Sequence, residues 1–400
     1  MTFIKSAKQF IRKVNKANET DIEEEFDNIK NFKGIENFKP TAENCRFYHA
    51  NQSRNRFKDI FCLDGSRVKL QSYNSCGGTD ENSTFATDEQ DKNDQKKKEK
   101  HAKQNSDYVH ANFVPGLDHN SIYNERQYIA TQGPNQQTTD DIWKLALQNK
   151  VSSIVMLCGL FEKGQSPNFR CASYFPGSEL ENQPLYIRCE SSTIKVEYLQ
   201  VLLKNQSYEI SRYRVSLVEN DSSEIRQILL INHCWLKSWS NFNIDLIDRN
   251  FRRTLKEFIL DVNKFNKSSI WRLSLMSENV DQENSGSDQN AAVVGKTHTH
   301  PILVHCAAGA ARTSSYIHLD QCMKIIDLET GGIDDKLLAC PLPNFDDNMV
   351  YEMAVHLRKA RAHSIDSMSI YRFLYEFLEQ FLWEDVLDVE RLLNHKVGKV

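Results

Sequence analysis

Apolar residues along the chain switch between helical and strand spacing. Near the start Phe3, Ile4, Ala7, Phe10, Ile11 and Val14 recur every three or four residues, while Lys5, Lys8, Arg12, Lys13 and Lys16 fill the other side, so a short basic amphipathic helix is expected. Such a helix can dock on the domain's own surface or lie on a membrane or partner. A second helix is expected from Thr20, whose spacing to Glu23 matches a capping box, with Ile22, Phe26 and Ile29 on its apolar side. Apolar runs over 153–157, 196–203, 214–218 and 228–231 predict strands. Helical spacing covers 139–148, 249–265 and the stretch after Arg312, where Leu319, Cys322, Met323 and Ile326 share a face. Strands interleaved with helices predict an α/β layered domain.

Two polar stretches interrupt this pattern. One spans 71–106 and holds Cys76-Gly77-Gly78 and a charge run from Asp91 to Lys103; the other spans 277–299. Strand patterns resume directly after each, so both are expected to be solvated insertions in one domain over 21–385, with a basic segment at 1–20 and a tail at 386–400. The cluster Lys96-Lys97-Lys98 fits a solvated tip, or a targeting or docking signal.

Composition narrows the function classes. With 40% hydrophobic and 26% charged residues the chain can bury a core, and its net charge of −4 argues against nucleic-acid binding through a broad basic surface. Any anion site must therefore be local. Ten cysteines are scattered without the tight spacing of a secreted disulfide framework, so reduced thiols are expected. Met1 to Lys5 leads into no signal-like apolar core, and no run reaches the length of a membrane span. The expected compartment is the cytoplasm, or the nucleus. Nothing in the sequence marks an oligomeric state.

The strongest chemical signal follows the apolar run Ile302-Leu303-Val304. His305 and Cys306 are followed by Ala307, Ala308, Gly309, Ala310 and Ala311, then by Arg312 and Thr313 and a helix. A loop of small residues between a strand and a helix N-terminus turns its backbone N–H groups toward an oxyanion. A thiol in such a cradle is stabilised as thiolate and can attack phosphorus near neutral pH. Arg312 can grip two phosphate oxygens in its planar fork, and Thr313 can donate its hydroxyl to the sulfur. A lone C-x5-R also arises by chance, and a cysteine after a strand is often inert packing. The flanking His305, Gly309 and Thr313 favour the cradle. His298-Thr299-His300 has no cysteine or acidic partner in pattern, no G-x4-G-K loop is visible, and no metal or cofactor is expected.

At these residues the sequence resembles the protein tyrosine phosphatase family, whose signature reads HC-x2-G-x-G-R-[ST]-G. Further blocks follow the family's order: Asn55-Arg56-Phe57-Lys58-Asp59-Ile60 resembles the substrate-recognition loop, and 107–112 resembles the DYINA segment. Residues 128–134 read Tyr-Ile-Ala-Thr-Gln-Gly-Pro, and Thr139 to Trp143 and Glu162-Lys163-Gly164 follow. The resemblance implies a highly twisted mixed β-sheet flanked by helices, a cysteine phosphatase-like fold. It also implies Cys306 as nucleophile, Arg312 as phosphate clamp, Phe57 as the aromatic wall beside the substrate ring and Asp59 as the binder of substrate backbone. Residues 307–311 become the phosphate loop, and Glu162 the partner of the cradle arginine.

The resemblance breaks where proton transfer and hydrolysis would be served. In place of the family's Trp-Pro-Asp-Phe-Gly the chain reads Trp239-Ser240-Asn241-Phe242-Asn243, so the general-acid position holds an amide. In place of Gln-Thr-x-x-Gln it reads Asp366-Ser367-Met368-Ser369-Ile370, losing both glutamines that position water. Asp366 can cap the helix that follows, repel a phosphate dianion, or stand in for the missing acid. Ala311 replaces a family glycine and would be strained at positive φ, and Ser314 replaces another. Three functions fit: a phosphotyrosine phosphatase of low activity, a pseudophosphatase that binds phosphotyrosine proteins without turnover, and a scaffold.

Overall fold

The computed structural model describes residues 9–11, 14, 19–71, 107–116, 128–161, 171–177, 183–239, 248–284, 300–329 and 348–387. The long charged run and the lysine cluster of the first polar stretch lie outside these residues.

Among the described residues nine strands form one sheet. They are β1 (Arg67–Lys69), β2 (Tyr108–Val114), β3 (Tyr128–Thr131), β4 (Ser153–Met156), β5 (Leu185–Arg188), β6 (Ser192–Lys204), β7 (Tyr208–Glu219), β8 (Ile225–Leu236) and β9 (Ile302–His305), in the spatial order β1-β2-β3-β9-β4-β8-β7-β6-β5. The four central strands β3, β9, β4 and β8 run parallel, and every other neighbouring pair is antiparallel. Strands β3, β4 and β9 are buried at every position, whereas β6 begins with strict alternation. Continuous apolar runs mark strands covered on both faces, and alternation marks a strand with one face toward water. The outer strands β6 to β8 extend past the runs legible in the sequence, because their partly exposed residues still pair through the backbone.

The helices are α1 (Glu19–Lys30), α2 (Arg46–Ala50), α3 (Thr139–Gln148), α4 (Arg249–Asn284), α5 (Ala311–Glu329), α6 (Met349–Ala360) and α7 (Met368–Phe381). α5 packs on β3 and β9, α4 packs on β8, and α6 and α7 pack on α5. α3 has the bounds its periodicity predicts. α1 begins at Glu19, one residue before Thr20, so Thr20 lies inside the helix. α4 continues well beyond Phe265 into the stretch expected to be an insertion: Ile270, Leu273, Met276 and Val280 keep helical spacing, and no Gly or Pro intervenes.

The described part of the N-terminal segment packs on the domain. Phe10 is fully buried and stacks on Tyr375 of α7 at 5.8 Å. The hydroxyls of Tyr371 and Tyr375 both donate to Glu25 of α1, at 2.8 and 2.6 Å. Among the described residues no helix is long and apolar enough to cross a membrane.

Candidate functional site

The parallel strands place the site. Thr131 of β3 and Met156 of β4 both pair in register with His305 of β9, and Met156 pairs with Trp235 of β8. Four carboxyl ends therefore stop at one edge of the sheet, where α/β folds form their binding crevice. The loop after β9 leaves this edge between its neighbours: Gly133 N–H donates to Ala307 O at 3.0 Å, and Leu157 N–H donates to His305 O at 2.9 Å.

Gly309 makes the turn possible. Its φ is +66°, and a Cβ there would fall on the carbonyl of Thr131 and lie 2.8 Å from the Gln132 nitrogen. Any side chain would meet rigid backbone. Ala311, in contrast, is the first residue of α5 and is not among the residues with positive φ. The strain expected at Ala311 does not arise, because the left-handed position falls on the glycine that is retained.

Cys306 is buried at the centre of this loop. Burial by itself would push the thiol pKa up, yet the pKa is lowered, because the Arg312 charge, the Thr313 hydroxyl and the Thr313 and Ala310 backbone N–H groups favour the thiolate. Gly309 N–H donates to the sulfur at 3.2 Å. The buried Thr313 Oγ1 is otherwise without a partner, which leaves its proton to the sulfur. Ala307 and Ala310 are buried, and Ala308 and Ala311 are half-buried. Arg312 is buried and donates from Nη1 to the backbone carbonyl of Trp239 at 2.8 Å, so the guanidinium reaches the first residue of the degenerate acid loop.

His305 faces away from the crevice into the core. Its Nδ1 is 3.3 Å from the Cys306 carbonyl, and its Nε2 is 2.8 Å from the Tyr174 hydroxyl, which also lies 2.8 Å from His233 Nε2. A carbonyl only accepts, so Nδ1 is the donor there; Tyr174 then donates to His305, and His233 donates to the phenol oxygen. Burial, with the neighbouring His305 and Lys237, lowers the His233 pKa to about 3.

Arg361 escaped the sequence reading. It is buried behind the cradle, where it donates to the carbonyls of Gly309 and Ala308, the latter at 3.0 Å, and to Asn112 Oδ1 at 2.7 Å. These bonds turn loop carbonyls inward to the arginine and so leave loop N–H groups for an anion. A charged residue ending an amphipathic helix carries no local signal that it will be buried.

The recognition segment is tied to the same edge. Arg56 N–H donates to Gln132 Oε1 at 2.9 Å, Gln132 Nε2 donates to Arg54 O at 2.8 Å, and Arg56 Nε donates to Gly133 O at 2.8 Å. Phe57 is half-exposed, and its carbonyl accepts the Tyr48 hydroxyl at 3.0 Å. Asp59 is exposed, and its charge opposes the burial that lowers the His363 pKa. Gln132 lies in a block legible in the sequence, but its bridging role is not readable there.

The segment from Ile365 leads into Asp366 and Ile370, where the resemblance expects two glutamines. Ile365 has φ +51°, an outlier for a β-branched residue. Its N–H donates to Ser314 Oγ at 2.9 Å, and its carbonyl accepts from Arg358 at 3.1 Å. Asp366 is exposed, but partial desolvation by the surrounding protein raises its carboxyl pKa, against the lowering effects of its own backbone N–H and Arg358. It does not cap α7. Ser367 does, accepting from Ile370 N–H at 3.4 Å, because Ser367 holds the extended backbone of an N-cap. Asn241 and Glu162 lie outside the described residues, as does His298, and His300 Nδ1 is bonded to the Lys150 carbonyl at 2.9 Å.

A family model described as Protein-tyrosine phosphatase matches residues 51–380. Tyrosine-protein phosphatase non-receptor type 9 of Mus musculus is 25% identical over 369 residues, which cover 92% of this chain and 47% of that protein. Receptor-type tyrosine-protein phosphatase alpha of Homo sapiens is 27% identical over 288 residues, covering 71% of this chain and 27% of that protein. The chain thus spans about half the length, or less, of these curated relatives. A solved structure of PTPN18 in complex with HER2 phosphopeptides superposes with a TM-score of 0.57 at 20% identity, over 94% of this chain and 99% of that one, a likeness of fold.

Proposed function

This chain belongs to the protein-tyrosine phosphatase family, and on that premise we propose that it takes phosphotyrosine proteins into the Cys306 cradle and dephosphorylates them slowly. The observation that carries this reading is the stabilised thiolate. A sulfur held by Arg312, Thr313 and loop N–H groups is a nucleophile aimed at a bound oxyanion. Cys306 Sγ attacks phosphorus, the S–P bond forms and the tyrosine oxygen leaves with the bond electrons. Arg312 and the loop N–H groups hold the three remaining oxygens. Phe57 supplies an aromatic wall for the ring, and Asp59 a carboxylate for the peptide backbone. PTPN18 with its bound HER2 phosphopeptides supports a peptide ligand for this fold.

Slowness follows from what is missing. Asn241 has no proton to give the leaving oxygen, and a positioned acid contributes about 10²–10⁴-fold. Asp366 and Ile370 offer no amide to orient water against the cysteinyl phosphate. The retained cradle beside these losses favours a second reading, a pseudophosphatase that holds phosphotyrosine without releasing phosphate. All eight cysteines among the described residues are free thiols, and a nucleophilic thiolate needs a reducing compartment, which supports the cytoplasm or nucleus as its place of action.

An activated aryl phosphate separates the readings. Sustained turnover that vanishes in Cys306→Ser supports the enzyme. Release of one equivalent or less, followed by arrest, supports the pseudophosphatase. No release together with no binding of vanadate or phosphopeptide overturns both.

A further inference from the structure

Behind the cradle a second cluster takes no part in the phosphate chemistry. Cys158 lies two residues after β4, Cys171 precedes the core residue Tyr174, and His305 ends β9. The two sulfurs and one imidazole nitrogen lie within 4.8 Å of one another, and all three side chains are fully buried. Isolated buried cysteines act as small apolar groups and are inert. Here, two thiols and an imidazole converge from three separate segments, brought together because β4 and β9 are parallel neighbours in register.

We propose that Cys158, Cys171 and His305 form a binding site for a thiophilic d10 cation, Zn²⁺ or Cu⁺. Thiolate and imidazole are the ligands these ions select, and both ions tolerate a fixed soft donor set in an apolar surrounding. Binding forms two metal–sulfur bonds and one metal–nitrogen bond and releases the two thiol protons to solvent. With Zn²⁺ the two thiolates leave the site neutral, which limits the cost of burying the charge. Three protein donors in a closed site suit Cu⁺ without any addition, whereas Zn²⁺ ordinarily takes a fourth ligand. Whichever His305 nitrogen binds gives up a hydrogen bond, either to the Tyr174 hydroxyl or to the Cys306 carbonyl. The second of these is the backbone of the nucleophile itself, so only binding through Nδ1 would reach the cradle.

The test uses the full chain, reduced with a phosphine and titrated anaerobically with Zn²⁺ and, separately, with Cu⁺ in acetonitrile. Bound metal is counted by elemental analysis after desalting. One equivalent of at least one ion is expected in the parent and in Cys306→Ser, with affinity at least about tenfold weaker in Cys158→Ser and Cys171→Ser. Should both serine variants fail to fold, the metal-edge X-ray absorption of the loaded parent decides: two sulfurs and one nitrogen support the site. A shell without two sulfurs overturns it, as do equal binding by folded serine variants, no retained metal, or loss of two thiols as a disulfide with no metal bound. None of these outcomes bears on turnover at Cys306, so the site and the phosphatase reading fail separately.

Discussion

Ser314 Oγ accepts the backbone N–H of Ile365 at 2.9 Å, joining the helix that leaves the phosphate loop to the strained residue immediately before Asp366. Ser314 stands where the family has glycine, and Asp366 where it has glutamine. Two departures from the family are thus held together by one hydrogen bond. Ser314 also donates to Ala311 O at 3.0 Å, so its hydroxyl is used in both directions.

Ser314→Ala leaves the buried Ile365 N–H without an acceptor. A loss of about 1–3 kcal/mol in unfolding free energy is expected. Urea denaturation measures it, and an unchanged midpoint would show that the Ile365 conformation is held by Arg358 alone.

Gly309→Ala should abolish vanadate and phosphopeptide binding while leaving a folded chain. The added methyl meets Thr131 carbonyl and Gln132 nitrogen, both fixed in or beside β3, so the loop has to move. Calorimetric titration together with far-ultraviolet dichroism checks both halves of this expectation.

Asn241→Asp restores a proton donor. Turnover of phosphotyrosine peptide should rise by about 10²–10⁴-fold, with a smaller gain for activated aryl phosphates, whose leaving groups need little protonation. Equal gains on both substrates would place the slow step in hydrolysis of the cysteinyl phosphate.

Asp366 carries a raised carboxyl pKa, with Arg358 as the charged partner that opposes the rise. Above that pKa the carboxylate repels an incoming dianion, and below it the repulsion is gone. His363, next to Arg361, has its own pKa lowered to about 4 by burial, so it is uncharged above about pH 4. The ratio of vanadate affinities, Asp366→Asn over parent, should therefore fall toward one as the pH is lowered through that raised pKa. A ratio independent of pH would separate Asp366 from the phosphate.

Acid should unfold the domain through buried histidines. Burial lowers the pKa of His110 to about 3, helped by the Arg361 charge, and that of His318 to about 4. Between the usual histidine pKa near 6.5 and these values the unfolded chain binds protons that the folded chain does not. Stability is then complete above about pH 6.5 and falls below it by about 1.4 kcal/mol per pH unit for each histidine. Chemical denaturation from pH 7 to 5 follows this slope, and His318→Gln should flatten it by about one histidine's share.

The sequence by itself determined the elements whose hydrogen bonds are local and the loop whose chemistry is contiguous. The bounds of α3, the buried strand ending in His305, and the run from Cys306 through Gly309 to Arg312 and Thr313 were legible because neighbouring residues encode spacing, φ freedom and helix entry. Asn241, Asp366 and Ile370 stand out for the same reason, as single changes inside short blocks where the resemblance expects an acid and two glutamines. Tertiary structure decided the rest. That Gly309 and not Ala311 carries the left-handed turn depends on where α5 begins. That Ser367 and not Asp366 caps α7 depends on the backbone torsion at one residue. Arg361 under the cradle, Tyr174 between two histidines, and Cys158 with Cys171 beside His305 are brought together by strand order and by helices packed from afar. Burial of a charge or a thiol is favourable only against partners, and those partners are distant in sequence, so no local pattern announces them.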